Sequence, residues 1–252
     1  MKKILVVTPQ ERAENLVNLL STEGFEAQAV SVMQFVPPQN LNQVKQDLLK
    51  IKPEDFLVFI SPQSVKSYLA LCLDNLIFPT EHLYAIGEGT AKILLDAGSP
   101  PVRYPEDSAN SVELLKLMEP LILKERPSNF FIIRGGEGNN LLQEGLKNLG
   151  AKVKNIETYA RECLLSNRQL LWAALSEGLD KPVDLVVLTS FEMAQCLFEL
   201  WGEQAWSQRV AVTSSSERTS KFLKSKGVTR ILLLKSLSNV CIVDKLNEFL
   251  RK

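Results

Sequence analysis

Short runs of apolar, mostly β-branched residues alternate along the chain with longer stretches in which apolar residues recur every three or four positions. The short runs predict strands over 4–7, 27–32, 56–60, 83–86, 130–133, 152–156, 185–188, 209–212 and 230–234. The longer stretches predict helices over 10–23, 63–73, 89–97, 111–123, 139–149, 192–201, 217–226 and 239–250. In the first of these, Leu16, Val17, Leu19 and Leu20 form the apolar stripe. A strand that is apolar on both faces must be covered on both. The pattern therefore predicts an α/β protein with parallel sheets between helices. Gly24, Gly98, Gly150 and Gly227 each stand just past a predicted helix, where a left-handed residue ends the last turn.

Those glycines expose a repeat. Thr8 and Gly24 recur as Arg134 and Gly150, at the same separation. Ser61, Thr90, Gly98 and Asn110 recur as Ser190, Thr219, Gly227 and Asn239, again at equal separations. Gly-Glu-Gly-Thr90-Ala-Lys aligns with Ser-Glu-Arg-Thr219-Ser-Lys. A short indel separates the first pair from the rest. This is a two-copy duplication rather than a solenoid. Each copy has the element order of a small flavodoxin-like, doubly wound sheet. The segments after the second strand of each copy, 35–40 and 159–163, occupy matching places in the repeat. If the chain crosses between domains at both, strands and helices are exchanged between the copies.

The chain has 252 residues, 45% hydrophobic and 23% charged, with 29 basic and 29 acidic side chains. Zero net charge provides no general attraction to nucleic acid or to a membrane surface. The first apolar run is too short for a signal-peptide core, and no run is long enough to span a bilayer. A cytoplasmic protein is expected. Cys72, Cys163, Cys196 and Cys241 form no Cys-x-x-Cys pair, so reduced, mostly buried thiols and no zinc site are expected. The lone His82 lies in a polar step and reads as a surface residue. Trp172, Trp201 and Trp206 lie among apolar residues and read as packing.

In open α/β sheets, ligands bind beyond the carboxyl ends of the strands. Thr8, Ser61, Gln63, Gly87, Thr90, Arg134, Gly135, Ser190 and Thr219 fall at such ends or in the turns and helix starts that follow them. Ser, Thr and Gly there are expected as helix caps in any protein. As a set they also place free N–H groups and dipoles where anions are favoured. Two facing domains built this way line a cleft with backbone donors. Gly87-x-Gly89 and Gly135-Gly136-Glu137-Gly138 lack nucleotide-binding spacing, and no nucleophile elbow is present. Arg134, at the end of an apolar strand, needs either an ion pair with Glu137 or Glu157 or a place in a cleft.

The succession Ile4-Leu-Val-Val-Thr-Pro9, Ile60-Ser-Pro-Gln-Ser-Val65, Ala85-Ile-Gly-Glu-Gly-Thr-Ala91, Ile132-Ile-Arg-Gly135, Gly150-Ala through Tyr159, Leu188-Thr-Ser190 and Ser216-Glu-Arg-Thr-Ser220 resembles uroporphyrinogen-III synthases over essentially the whole chain. The resemblance implies two flavodoxin-like domains joined by a two-stranded linker, one formed by 1–35 plus 163–252 and the other by 38–160. It also implies the reaction. Hydroxymethylbilane, a linear tetrapyrrole, loses its terminal hydroxyl as water and closes with inversion of ring D through a spiro intermediate. No cofactor or metal is implied. Tyr159 is the residue that the resemblance makes catalytic, assisting departure of the hydroxyl. Ser61, Thr90, Ser190 and Thr219 carry over from it as positions lining the cleft, and with Gln63, Gly87, Arg134 and Gly135 from the strand ends they are the expected substrate-binding residues. A monomer is expected, with transient hand-over of the substrate from hydroxymethylbilane synthase. The family often has Thr-Arg-Pro after the first strand, where this chain has Val7-Thr8-Pro9. The rival reading is a two-lobed protein that binds a small anion without catalysis. A tandem receiver protein would need an acidic cluster near its first strand, and neither copy has one.

Overall fold

The computed structural model describes residues 1–8, 10–72, 78–125, 129–136, 138–171, 183–201 and 209–250. The elements run β1 (Lys3–Val7), α1 (Gln10–Thr22), β2 (Glu26–Ala29), β3 (Met33–Val36), α2 (Leu41–Leu48), β4 (Phe56–Phe59) and α3 (Pro62–Leu71). They continue with β5 (Leu83–Ala85), α4 (Glu88–Asp96), β6 (Val102–Arg103), α5 (Ser111–Glu125), β7 (Phe130–Gly135), α6 (Leu141–Asn148) and β8 (Val153–Cys163). After a short 3-10 turn come β9 (Leu185–Leu188), α7 (Phe191–Trp201), β10 (Ala211–Ser214), α8 (Glu217–Ser225), β11 (Arg230–Leu233) and α9 (Asn239–Leu250).

The chain divides into two compact units. Unit 1 is Met1–Gln34 with Glu162–Lys252, and unit 2 is Phe35–Arg161. In unit 1 the strand order is β2-β1-β9-β10-β11, paired in parallel. In unit 2 it is β3-β8-β7-β4-β5-β6, with parallel pairing from β8 to β6. With the added edge strand β3 set aside, each sheet takes its first two repeat strands from one copy and its last three from the other. Counted by repeat position, both sheets have the flavodoxin-like order 2-1-3-4-5.

The apolar runs are continuous because helices cover both faces. In unit 1, Leu5, Val7, Val186, Leu188 and Val212 pack against Met193, Leu197 and Leu200 of α7. Their neighbours Ile4, Val6, Leu185, Val187 and Ala211 pack on the other face, against α1 and α9. In unit 2, Leu57, Phe59, Phe131 and Ile133 meet α3 and α4, while Phe56, Val58, Phe130 and Ile132 meet α5 and α6. Gly24, Gly98, Gly150 and Gly227 have φ of 84°, 79°, 89° and 83° and close α1, α4, α6 and α8.

Two expectations are corrected. Cys163 and Cys196 form a disulfide rather than remaining reduced. Their Cα atoms are 5.2 Å apart, within bridging range, though 33 positions separate them in sequence. Cys72 and Cys241 are free and half-buried. The strand expected over 27–32 ends at Ala29, and a separate strand, β3, follows at Met33. His82 is exposed and stacks on Phe56, with ring centroids 4.6 Å apart. Trp201 is buried, whereas Pro9, Glu137, Trp172 and Trp206 lie outside the described residues. Among the described residues, no helix is long and apolar enough to cross a membrane.

Candidate functional site

Unit 2 gathers seven of the predicted positions, Ser61, Gln63, Gly87, Thr90, Arg134, Gly135 and Tyr159. Ser190 and Thr219 belong to unit 1. Because β4, β5, β7 and β8 are parallel, Ser61, Gly87 and Gly135 all emerge at one edge of the sheet.

Tyr159 reaches that edge through an irregularity. Arg134 pairs with Glu157 and Gly135 with Tyr159, so Thr158 is an extra residue in β8. The in-out alternation breaks there, with Glu157 exposed but Thr158 and Tyr159 both buried. Thr158 turns to Ser67 of α3, with 2.6 Å between hydroxyl oxygens. Tyr159 turns instead onto Gly135. A Cβ at position 135 would stand 2.6 Å from Cε2 and 2.7 Å from Cζ of its ring, so only glycine leaves the ring room.

The phenol is held from several sides. Its oxygen lies 3.2 Å from Ser61 Oγ, and Arg161 Nη2 donates to it across 3.3 Å. The Arg161 guanidinium carbon also lies 5.3 Å from the ring centroid. The Phe35 ring packs edge-to-face with the Tyr159 ring, with centroids 5.4 Å apart. Ser61 itself caps α3. Its Oγ accepts from Ser64 N at 3.0 Å, while Ser61 N donates to Ser64 Oγ at 3.2 Å. Arg161, Phe35 and the bulge carry no signal in the apolar pattern, which ends the predicted strand before Tyr159.

Gly87 caps α4, and its carbonyl accepts from Thr90 and Ala91. A Cβ there would run into Ala109, which fixes the choice of glycine. Thr90 is buried, and Gln63 is half-buried in the first turn of α3. Arg134 is 4% exposed. Its guanidinium donates to the Gly135 and Asn139 carbonyls and to Asn140 Oδ1, clamping the loop after β7. Gly138 allows that clamp, since a Cβ there would lie 2.7 Å from Arg134 Nη2.

Beside Tyr159 a pocket of about 470 Å³ opens within unit 2, lined by Asn40, Gln43, Asp47, Asn155 and Glu157. Asn155 Oδ1 in its wall is buried without a partner among the described residues. The Lys154 ammonium, 2.6 Å from Asp47, holds that carboxyl below its ordinary pKa against the opposing effect of burial. In α3, burial pushes the Tyr68 phenol far above its ordinary pKa, so Tyr68 stays neutral.

In unit 1 the corresponding edge is rich in hydroxyls bonded to one another or to the backbone. Thr8 and Thr189 share a 3.0 Å contact, and Thr213 bridges the Leu188 N–H and carbonyl. Ser190 accepts from Met193 N, and Ser216 accepts from Thr219 N while contacting the Thr219 hydroxyl at 2.9 Å. Ser190 and Ser216 are used in capping, and the Thr8, Thr189 and Thr213 hydroxyls are bonded to one another or to strand backbone, so backbone N–H groups at the helix starts are the groups suited to receive an anion. Among the described residues, no cluster of His, Cys, Asp and Glu is placed to hold a metal ion.

A family model described as uroporphyrinogen-III synthase HemD matches residues 2–236. The uroporphyrinogen-III synthase of Escherichia coli (strain K12) is 29% identical over 252 residues, covering 96% of this chain and 99% of the relative. That of Salmonella typhimurium is 28% identical, with the same coverage. Among solved structures, uroporphyrinogen-III synthetase from Helicobacter pylori 26695 matches with a TM-score of 0.66 at 18% identity, over 100% of both chains. A mutant uroporphyrinogen III synthase from the extremely thermophilic bacterium Thermus thermophilus matches with a TM-score of 0.61 at 18% identity, over 100% of this chain and 98% of that one. At such identity the two structures speak to the fold.

Proposed function

The chain belongs to the uroporphyrinogen-III synthase family, and from that premise we propose that it carries out the family's reaction, closing hydroxymethylbilane to uroporphyrinogen III in tetrapyrrole biosynthesis. It is then a lyase that removes water from a linear tetrapyrrole. The observation that carries this is the family match across residues 2–236, joined by relatives covered over nearly their full length. A small-anion binding protein without catalysis has no comparable support.

The chemistry asks little of acid–base groups. The bilane is reactive by itself, and the enzyme must present ring D through its substituted position. Tyr159 is the group we assign to assist departure of the hydroxyl, since a phenol donates a proton or hydrogen bond. The substrate's acetate and propionate groups suit N–H groups in the first turns of α3 and α4, after Ser61 and Gly87, with Gln63 in the first and the Thr90 side chain in the second, the Thr90 N–H itself being bonded to Gly87. Arg134 and Gly135 shape the neighbouring loop. Ser190 and Thr219 offer the same type of donor in unit 1. The protein works as a cytoplasmic monomer in this reading, and receives a reactive substrate by transient hand-over from the synthase that makes it.

The test couples purified protein to hydroxymethylbilane production and resolves the type I and type III isomers. Type III should dominate. If it does not exceed the spontaneous background, the reading fails. Tyr159→Phe should lower kcat by roughly 10²-fold or more, the range of a positioned acid, while the circular dichroism spectrum is kept.

A further inference from the structure

We propose that Arg161 is a positioning residue for Tyr159, and that together with Ser61 it reserves the phenolic proton for the leaving group. This rests on the reading of Tyr159 as the proton donor.

The donors and acceptors around one oxygen decide where its proton points. A phenol has one proton to give and two lone pairs to receive with. A guanidinium has donors only, so the 3.3 Å contact from Arg161 Nη2 must end on a lone pair of the Tyr159 oxygen. Ser61 Oγ already accepts from Ser64 N at 3.0 Å. It has one proton of its own, and the Tyr159 oxygen lies 3.2 Å away. With Ser61 donating as well, both lone pairs are occupied. The Tyr159 proton is then directed away from Ser61 and Arg161, toward a bound substrate. Both contacts are long for ordinary hydrogen bonds and have room to shorten as charge develops on the oxygen.

In the step itself, the C–O bond of the terminal hydroxymethyl group breaks, and its electron pair stays with oxygen. The Tyr159 proton joins that oxygen, and water leaves. The adjacent pyrrole supplies the electron pair of the new exocyclic double bond and becomes an azafulvenium cation. Tyr159 is left as phenolate. Arg161 faces that phenolate with a fixed positive charge, and Ser61 with a hydroxyl donor. A donor already aimed at a developing oxyanion costs no reorganisation when the charge appears. The guanidinium carbon, 5.3 Å from the Tyr159 ring centroid, also restrains the ring itself.

The test is a double-mutant cycle on steady-state type III formation. Arg161→Gln should lower kcat by about 10- to 100-fold, part of what a positioned acid contributes, with KM changed less than about twofold because the group acts on the step rather than on binding. Arg161→Lys, which keeps a charged donor, should restore part of that loss. In a Tyr159→Phe background, Arg161→Gln should have no further effect on kcat, since the oxygen it serves is gone. Wild-type kcat in Arg161→Gln overturns the proposal. So does a double variant whose losses multiply, which marks a purely structural arginine. Should Arg161→Gln lose its folded spectrum, Arg161→Met, which keeps the aliphatic stem, takes its place in the cycle. Absence of type III product from the wild type is a separate result, and counts against the assigned reaction rather than against Arg161.

Discussion

At the scale of single residues, the site depends on a missing methyl group. A Cβ at position 135 would stand 2.6 Å from the Tyr159 ring, and β7 is buried, so the ring must yield. Gly135→Ala should therefore move Tyr159 away from Ser61 and Arg161. Its kcat should approach that of Tyr159→Phe, and adding Tyr159→Phe should cost little more. Independent losses would show that the glycine serves something else. Asp47 gives a prediction in pH. Lys154 foremost, then Lys50 and Gln43, lower its carboxyl pKa below the usual 3.8, and burial only partly opposes them. A depressed carboxyl stabilises the fold fully above its unfolded pKa and loses that effect as pH falls through the folded value. Asp47→Asn should thus destabilise the protein by no more than about 1 kcal/mol near neutrality, the range of solvent-screened pairs. Urea unfolding at pH 7 and near pH 3 checks it, and the difference should shrink at the lower pH.

At the scale of elements, the sequence was most readable where local chemistry decides. Glycine past a helix end needs no tertiary information, and Gly24, Gly98, Gly150 and Gly227 all adopt positive φ. Strands buried on both faces were equally plain, because β1, β4 and β9 are buried almost throughout. The misses are elements that are polar or irregular. Helix α2 has only Leu41, Val44 and Leu48 as an apolar spine, and its Asn40 cap makes no side-chain bond. The second half of β8, Glu157–Cys163, is half-polar and bulged, so its period of two is lost just where Tyr159 sits. The disulfide was invisible for another reason, since it joins the end of β8 to α7 through space. Closing its 33-residue loop is worth about 3–4 kcal/mol by chain entropy. Air-oxidised protein should therefore unfold at higher urea than protein kept in a thiol reductant, and Cys196→Ser should erase the gap. Equal midpoints for oxidised and reduced wild type would show that the bridge contributes nothing to stability.

At the scale of the whole molecule, the repeat and the compact units divide the chain differently. One copy supplies β1 and β2 to the first sheet but β3, β4, β5 and β6 to the second, and the other copy supplies the remaining strands of both. The equal spacings in the sequence revealed the copies. They did not reveal which strands pair, because β1 meets β9 and β4 meets β7 across long stretches of chain. The difference can be tested with fragments. Residues 33–163 contain all six strands of the second sheet and the helices on both of its faces. No core strand of that sheet loses a neighbour in this fragment, so it should give a cooperative thermal transition by itself. Residues 1–125 hold one entire copy, yet the cut removes β9 from β1 and β7 from β4. Buried apolar faces such as Leu5–Val7 and Leu57–Phe59 then lose half their partners, and parallel strands without both neighbours are poorly stable alone. That fragment should melt without a sharp transition or associate. A sharper monomeric transition in 1–125 than in 33–163 would mean that the copy, and not the mixed sheet, is the folding unit.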